Sequence, residues 1–371
     1  MLISKLQTAF ETPAFTMNNR VVMAPMNRRR AVNGIPGSST LIYYMQRASA
    51  GLIITDNTAV APNGIGYLHT PGIYNAAQKA AWKRVVDEVH ARNGRIFIQL
   101  VHSGRIGHPL NHEGGTPLVA PSAVRAVGTL RTSGDRYLPI PEPEALPIAG
   151  IQAVIDAYIR AAEEAINVGF DGVEIHGAHG VLTDQFLNPQ TNLRTDRYGG
   201  NLANRSRFLL EIMEGVSAAI GKERTGVRLS PFAALNDLSP YPDERATHLY
   251  IIDALKKMDI LYIHLSNEII NGRMRIPEDL VGDVRRRFNN LLIQAGGYTA
   301  SSGEAALEGG MVDLIAFGRP FIANPDLVER FRHNAPLAVA NEARFYNGGD
   351  EGYIDYPVIF HNPETPPLYE L

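Results

Sequence analysis

The sequence predicts a (β/α)₈ barrel, an α/β fold in which eight parallel strands alternate with helices. Short apolar runs alternate along the chain with amphipathic stretches, which is typical of a parallel sheet. Eight such runs can be counted, the number that closes a barrel of this type. The length of 371 residues suits a barrel that carries insertions. We therefore expect a single domain over residues 1–371.

The eight apolar runs are the predicted strands. They are Arg20–Met23, Leu52–Thr55, Arg95–Leu100, Gly172–Ile175, Thr225–Leu229, Ile260–Leu265, Leu291–Ala295 and Leu314–Phe317. Apolar residues at three- and four-residue spacing predict helices between them, most clearly over Gln78–Asn93 and Ile151–Val168. Asn93 followed by Gly94 is a helix C-terminal signal. The strand and helix predictions therefore alternate as a barrel requires.

The composition is that of an ordinary globular protein, with 45% hydrophobic residues, 20% charged residues and a net charge of −3. We find no apolar run of signal-peptide or membrane-span length, and the chain has no cysteine for disulfides or thiol chemistry. These features predict a cytoplasmic enzyme. For its partners we expect a small-molecule substrate, with the protein a monomer or homodimer. The same features predict no nucleic-acid partner and no membrane partner.

One segment after the third strand, about residues 101–147, breaks the alternation. Its prolines are Pro109, Pro117, Pro121, Pro139, Pro141, Pro143 and Pro147. The segment is too long for a simple strand-to-helix connection, and long loops at the C-terminal face of a barrel shape active sites. We predict a lid or capping insertion here. The alternative is a disordered surface insertion, which Tyr137, Leu138 and Ile140 disfavour because they offer apolar surface to pack.

The fourth strand ends at two histidines, His176 and His179, three residues apart. They could be structural histidines that bond to neighbouring groups. They could bind a metal, but no third ligand follows at a recognisable spacing and cysteine is absent, so we predict no metal. They could also be two hydrogen-bond donors aimed at one oxygen of a ligand, which polarising a carbonyl requires.

Polar residues recur where other strands end. Asn27 follows the first strand, Asn57 follows the second, Gln99 closes the third and Arg228 lies at the end of the fifth. Each could be a buried polar residue that bonds to backbone. Because the carboxyl ends of the strands meet at one face of a barrel, together they favour a ring of donors around a flat polar ligand.

The last two strands are each followed by glycine. Gly296 and Gly297 follow the seventh strand, and Gly318 and Arg319 follow the eighth. Glycines let backbone N–H groups approach an anion closely, and arginine supplies a fork of donors with fixed positive charge. These residues predict a phosphate site.

Eight blocks of the chain resemble, in order, those of the old yellow enzyme family of FMN-dependent ene reductases. The blocks are VVMAPMNRRR, YYMQRASAGLIIT, GYLHTPGIY, IFIQLVHSGR, GVEIHGAHGVLTDQFLNPQTNLRTDRYGGNLANRSRF, GVRLSP, AGGYT and FGRPFIANPDL. The resemblance covers nearly the whole chain. The histidine pair is similar to the branch that includes oxophytodienoate, nitrate-ester and N-ethylmaleimide reductases.

The resemblance implies non-covalent FMN at the C-terminal mouth of the barrel, with NADPH or NADH as reductant. Gln99 would bond the pyrimidine edge of the flavin, Arg228 would face N1 and the C2 carbonyl, and Asn57 would offer its backbone. The other cofactor contacts would be Ala24, Pro25, Met26 and Asn27 along the ring, and Gly296, Gly297, Gly318 and Arg319 at the phosphate.

The resemblance also implies the reaction. His176 and His179 would hold a carbonyl or similar electron-withdrawing oxygen, so that a hydride passes from flavin N5 to the β carbon of an activated alkene. The substrate pocket would be lined by Tyr67, Val101, Val181 and Tyr346.

Three departures from the family pattern change the expected site. The family's proton-donating tyrosine is Val181, its threonine or cysteine after APM is Asn27, and the tryptophan of QLWH is Val101. Since valine cannot donate a proton, a flavin-dependent dehydrogenase or isomerase acting on a biosynthetic intermediate is the alternative function. A flavin-binding protein without catalysis is a third reading, which the retained histidines disfavour.

Overall fold

The computed structural model describes residues 4–267, 269–270, 273–274 and 276–359, so both ends of the predicted domain lie outside the described residues. The strands are β1 (Phe10–Glu11), β2 (Thr16–Met17), β3 (Val21–Met23), β4 (Leu52–Ala59), β5 (Ile96–Val101), β6 (Val119–Ala120), β7 (Thr129–Thr132), β8 (Arg136–Pro139), β9 (Glu144–Ala145), β10 (Gly172–Gly177), β11 (Thr225–Leu229), β12 (Tyr262–Ser266), β13 (Ile269–Ile270), β14 (Arg273–Met274), β15 (Leu291–Ala295) and β16 (Leu314–Phe317). The α-helices are α1 (Ser38–Met45), α2 (Ala76–His90), α3 (Ile148–Val168), α4 (Leu182–Leu187), α5 (Leu202–Ile220), α6 (Glu244–Met258), α7 (Glu278–Arg287), α8 (Ala300–Glu308), α9 (Arg319–Ala323) and α10 (Leu327–Arg332).

The eight predicted strands form a closed parallel barrel, which confirms the predicted (β/α)₈ fold. Strands β3, β4, β5, β10, β11, β12, β15 and β16 follow one another around it, and β16 pairs with β3. Strand β4 differs from its prediction because it continues past Thr55 to Ala59. Its register against β5 shifts between Ile54 and Asn57, and this irregularity carries polar residues into the strand.

Each barrel strand is buried on both faces, which explains why the strands read as continuous apolar runs. One set of side chains points into the barrel, where Phe97, Tyr262 and Leu291 belong to one buried cluster against which Phe15 packs. We call these four residues the lower layer, because they lie near the amino ends of the strands. The other set, such as Ile98 on β5, packs against the outer helices.

Two glycines make room for the rings of the lower layer. A Cβ atom on Gly172 would lie 2.3 Å from Cζ of Phe97, and one on Gly226 would lie 2.2 Å from Cζ of Tyr262. The two rings are neighbours, with centroids 5.8 Å apart. Glycine is therefore required at position 172 on β10 and at position 226 on β11, because the barrel interior has no room there for a side chain.

Helices α2 and α3 confirm the two helix predictions, with shifted ends. Helix α2 starts two residues before the predicted Gln78, because Asn75 and Gln78 form a reciprocal capping box. It ends at His90, and the predicted stop signal lies just beyond, where Asn93 has a left-handed φ of 56°. None of the helices in the described part of the chain is long and apolar enough to cross a membrane.

The 101–147 segment folds into small elements of its own. Strands β6 and β9 pair in parallel, and β7 and β8 form an antiparallel hairpin. Apolar side chains including Leu118, Leu130 and Ile140 form a separate buried cluster, against which Tyr67 packs. The role of this segment as a lid stays a prediction.

Candidate active site

A cavity of about 740 Å³ lies at the carboxyl ends of the barrel strands, and its size is typical of ligand clefts. Most of the predicted site residues line it. They are Ala24, Pro25, Met26, Asn27, Tyr67, His179, Arg228, Gly296, Gly297, Gly318, Arg319 and Tyr346. The strand-end residues of a parallel barrel are thus brought together at one mouth.

On β5, β10, β11 and β12, polar side chains occupy the inward positions above the lower layer. Inward residues recur every second position, so β5 continues from Phe97 to Gln99, and β12 continues from Tyr262 to His264. The strand register sets these residues side by side, pairing Gln99 with Glu174 and Arg228 with His264. We call the inward residues Gln99, Glu174, His176, Arg228, His264 and Ser266 the upper layer.

Glu174 is a buried carboxylate at the centre of the upper layer. Its Oε1 accepts a hydrogen bond from Nε2 of Gln99 at 2.7 Å, and its Oε2 lies 2.9 Å from Nδ1 of His264. These contacts fix the Gln99 amide with its nitrogen on Glu174. The carbonyl oxygen of Gln99 is left as an acceptor that could receive the N–H of a ligand ring.

Arg228 is a buried cation beside Glu174. Its Nη2 donates to Oγ of Ser266 at 3.0 Å, while its Nε is buried without a hydrogen-bond partner among the described residues. Burial lowers the pKa of Arg228 to about 10, although the Glu174 carboxylate favours the charged form. Arg228 therefore stays positively charged at neutral pH and could stabilise negative charge on a bound ring.

The two histidines are held close together at the end of β10. Their ring centroids are 5.5 Å apart at an interplanar angle of 83°. His179 has a left-handed φ of 59°; its N–H donates to Oγ of Ser230 at 2.9 Å, and its carbonyl accepts from Nδ2 of Asn236 at 2.7 Å. Backbone bonds therefore hold His179 in a conformation that non-glycine residues seldom adopt.

Both imidazoles are neutral at pH 7. Burial first, and then the charge of Arg228, hold the pKa of His176 and that of His179 well below the usual histidine range. A neutral imidazole has one donor and one acceptor nitrogen. Nε2 of His179 lies 3.0 Å from Oγ of Ser266, and Nδ1 of His176 is buried with no partner among the described residues. Each ring thus keeps a nitrogen for a ligand.

The opposite side of the cavity is built from glycine backbone. Gly296 and Gly297 have φ of 142° and 66°, and a Cβ atom on Gly296 would lie 2.7 Å from the carbonyl oxygen of Asn267. A Cβ atom on Gly318 would meet nothing closer than 3.5 Å. Arg319 is exposed and has no carboxylate partner among the described residues. This side could hold a phosphate between backbone N–H groups and a free cation.

Several predicted residues lie outside the cavity lining. These are Asn57, Gln99, Val101, His176 and Val181. Asn57 accepts a hydrogen bond from Nδ2 of Asn27 at 2.7 Å, which links it to a lining residue. Val181 is buried and precedes the first residue of α4, and Val101 is the buried last residue of β5.

Other lining residues were not predicted. They include Arg29, Leu235, Ser266, Asn267 and Tyr298. Ser266 links His179 to Arg228, but a single serine at a strand end has no recognisable motif. Arg29 lies in the run NRRR, where the repeated charge was the available signal.

A second groove, of about 680 Å³, lies outside the barrel between α5 and α6 and is lined by Leu210, Glu214 and Tyr250, among others. No group of three potential metal ligands occurs among the described residues. The chemistry that can be assigned is therefore concentrated at the barrel mouth.

Residues 7–338 match the model of the NADH:flavin oxidoreductase / NADH oxidase family. The chain belongs to this family. Old yellow enzymes are among its solved structural neighbours, so the resemblance inferred from the motifs is confirmed. The chain is an FMN-dependent oxidoreductase that takes its electrons from NADH or NADPH.

Individual family members match this chain over nearly its whole length. The 12-oxophytodienoate reductase 7 of Oryza sativa subsp. japonica is 39% identical over 374 residues, covering 95% of this chain and 94% of the relative. Morphinone reductase has a solved structure with a TM-score of 0.92 and 42% identity, covering 96% of each chain. The old yellow enzyme homologue from Zymomonas mobilis has a TM-score of 0.91 and 38% identity, covering 96% of this chain and 100% of its own.

The cavity fits the cofactor of the family. FMN has a flat ring with a pyrimidine edge and a phosphate group. Its site needs a hydrogen-bond acceptor and a buried cation for the ring, and an anion-binding backbone for the phosphate. The upper layer supplies the first two with Gln99 and Arg228, whose Nε is unpartnered among the described residues. The glycine side and Arg319 supply the third. These residues could hold FMN across the mouth of the barrel.

Proposed function

We propose that this flavoprotein reduces alkenes that are activated by a carbonyl or another electron-withdrawing oxygen. The observation that carries the proposal is the pair of neutral imidazoles of His176 and His179, with ring centroids 5.5 Å apart. His179 lines a cavity that fits FMN, and His176 lies buried beside it. The relatives support it, because morphinone reductase and 12-oxophytodienoate reductase are named as reductases. The latter name specifies an oxo group and two carbon–carbon double bonds.

In this proposal the protein supplies binding and polarisation. When bound, FMN would supply the redox chemistry, the transfer of a hydride from NADH or NADPH to the substrate. Gln99 and Arg228 orient the ring, and Arg228 stabilises its negative charge. The remaining cofactor contacts are Ala24, Pro25, Met26, Asn27, Asn57, Gly296, Gly297, Gly318 and Arg319.

His176 and His179 bind the substrate oxygen. An N–H from each ring draws electron density from the conjugated double bond and leaves its β carbon electron-poor. Because the rings are neutral, they stabilise developing negative charge as hydrogen-bond donors without transferring a proton. The α carbon is protonated by water or by a group other than Val181, whose side chain has no acidic proton.

The test is a two-step anaerobic titration of the purified holoenzyme. NADPH or NADH should bleach the flavin absorbance, and cyclohexenone should restore it with formation of cyclohexanone. The flavin released on denaturation should be FMN. A reduced flavin that neither enones nor nitroalkenes reoxidise would overturn the proposal. Bleaching by a saturated ketone without any nicotinamide would instead support the dehydrogenase alternative.

A further inference from the structure

Three consecutive arginines follow strand β3, and they have different partners. Arg28 donates from Nη2 to the carbonyl of Gly352 at 2.8 Å and from Nε to that of Phe345 at 3.0 Å. Arg30 donates from Nη1 to the same Phe345 carbonyl at 2.9 Å and from Nη2 to that of Arg344 at 2.8 Å. Arg28 and Arg30 therefore tie residues 344–352 to the mouth of the barrel.

Arg29 has a different environment. Its φ is 54°, in the left-handed region, and its N–H donates to Oδ1 of Asn27 at 2.9 Å. This turn gives Arg29 a different direction from its two neighbours, and its side chain lines the cavity. Its Cζ lies 4.3 Å from the ring centroid of Tyr67 and 4.6 Å from that of Tyr346. Two aromatic rings of the cavity wall therefore hold the guanidinium between them.

Within the described part of the chain, the guanidinium of Arg29 is not paired with an acid. No carboxylate there forms an ion pair with it, and its Nε is buried without a hydrogen-bond partner among those residues. Its surroundings also include the guanidinium of Arg131, while burial lowers its own pKa. A partly buried cation that lacks a counter-ion is costly, and a ligand anion would remove that cost.

The Tyr67 ring that contacts this cation is connected by hydrogen bonds to the backbone of His179, the proposed substrate-binding residue. The hydroxyl of Tyr67 donates to Oδ1 of Asn236 at 2.8 Å, and Nδ2 of Asn236 donates to the carbonyl of His179 at 2.7 Å. Arg29 and His179 both line the same cavity, and the contacts through Tyr67 and Asn236 connect them. A ligand that places an oxygen at His179 can extend towards Arg29.

We propose that Arg29 is a specificity residue that binds a carboxylate or phosphate group at the rim of the active site. The inference rests on the proposed function, since it assumes that the ligand occupies the same cavity. The anion has two sources: a carboxylate on the substrate, or the 2′-phosphate that distinguishes NADPH from NADH. The competing explanation is that Arg29 only braces Tyr67 against Tyr346.

Equilibrium binding to the oxidised holoenzyme tests this without turnover. The carboxylate probe is a cyclohexanone that carries a propanoate chain, compared with its methyl ester. The phosphate probe is NADP⁺, compared with NAD⁺. Binding is followed by flavin absorbance for the native protein, Arg29→Met, Arg29→Lys and Arg136→Met. Arg136 is the matched control, because it is an exposed arginine on β8 that does not line the cavity.

We expect the native protein to prefer at least one anionic probe over its neutral or less charged partner. Arg29→Met should lower that preference roughly 10- to 100-fold, the range of a lost charge-assisted hydrogen bond, and Arg29→Lys should keep part of it. Loss for the propanoate alone assigns the site to the substrate, and loss for NADP⁺ alone assigns it to the reductant.

Unchanged preferences in Arg29→Met would overturn the proposal and leave the brace explanation. An equal loss of binding for charged and neutral probes would overturn it as well, because a brace would produce that result. Failure of the proposed function has a different sign: the reduced native enzyme would not reduce cyclohexenone, whatever the result of the binding measurements.

Discussion

The lower and upper layers of the barrel interior share strands β5 and β12 but differ in how their side chains pack. In the lower layer, Phe97 and Tyr262 fill space that Gly172 and Gly226 leave open, and the fit is tight enough to exclude one methyl group. Two positions further along β5 and β12, the inward side chains are the polar Gln99 and His264. In this upper layer, buried nitrogens of His176 and Arg228 have no partner among the described residues.

This difference in packing distinguishes side chains that stabilise the fold from side chains that are available to bind a ligand. A buried polar atom without a partner costs free energy, so its presence indicates a ligand-binding role. A tightly packed ring gives no such indication, because its packing alone stabilises the fold. In a (β/α)₈ barrel, residues near the amino ends of the strands serve the stability of the fold, whereas residues at the carboxyl ends serve catalysis. Substitutions in the two layers should therefore affect different measurements.

The largest effect on folding is expected for Gly226→Ala in the lower layer. The added Cβ would lie 2.2 Å from the Tyr262 ring, and overpacking of a filled core costs about 1 to 3 kcal/mol or more. The free energy of unfolding, measured with denaturant, should fall accordingly. Gly349→Ala is the control, because a Cβ atom there meets nothing within 4 Å. Replacing Tyr262 by leucine in the same chain should offset part of the loss, and strictly additive effects would refute the steric explanation.

His176→Ala in the upper layer should leave the fold and FMN content intact but slow substrate reduction. Loss of one donor to a developing oxyanion costs about 10²- to 10³-fold. The measurement is the anaerobic rate at which cyclohexenone reoxidises the reduced enzyme. His176→Asn retains an N–H donor and should recover part of the rate. An unchanged rate in His176→Ala would show that this imidazole does not contact the substrate.

The same histidines make acid sensitivity a consequence of the fold. Their pKa is well below the ordinary value in the folded chain, whereas an unfolded histidine titrates near about 6.5. The unfolded state therefore binds more protons at lower pH. The stability present above about pH 6.5 is progressively lost as the pH falls below that value.

The sequence predicted the barrel strands better than the rim of the site. All eight strands were found because burial on both faces makes each one a continuous apolar run. The polar end of β4 was missed because its register shift brings Asp56 and Asn57 into the strand. Helix starts were missed by two or three residues, since Pro147 and Asn75 precede first turns with weak periodicity.

Site residues were predictable where a strand end or a glycine pair marked them. Ser266 was not, because its role depends on lying between His179 and Arg228, which are distant in sequence. Arg29 was not predictable either, because the direction of its side chain depends on a left-handed φ, and the sequence NRRR does not indicate which residue adopts it. Local spacing predicts which residues reach the mouth, whereas contacts across strands decide what they do there.

The smallest expected effect is a gain of activity in Val181→Tyr. The side chain of Val181 is 5% exposed and does not line the cavity, so a tyrosine must displace neighbours to place its hydroxyl over the substrate. A general acid is worth about 10²- to 10⁴-fold when well placed. Because the position is crowded, we expect only part of that range, on the order of tenfold, in the rate of cyclohexenone reduction.

Val181→Phe is the matched control, because it adds the same ring without the hydroxyl. The stereochemistry of deuterium at the α carbon, after reduction in D₂O, provides a second measurement. If the new phenol donates the proton, Val181→Tyr alone should gain rate and should deliver the α deuterium to one face. Equal rates in the phenylalanine and tyrosine variants would mean that pocket shape, and not proton donation, limits the reaction. A native enzyme that is already stereoselective would point to another acid, and Tyr67→Phe would test the phenol that lines the cavity.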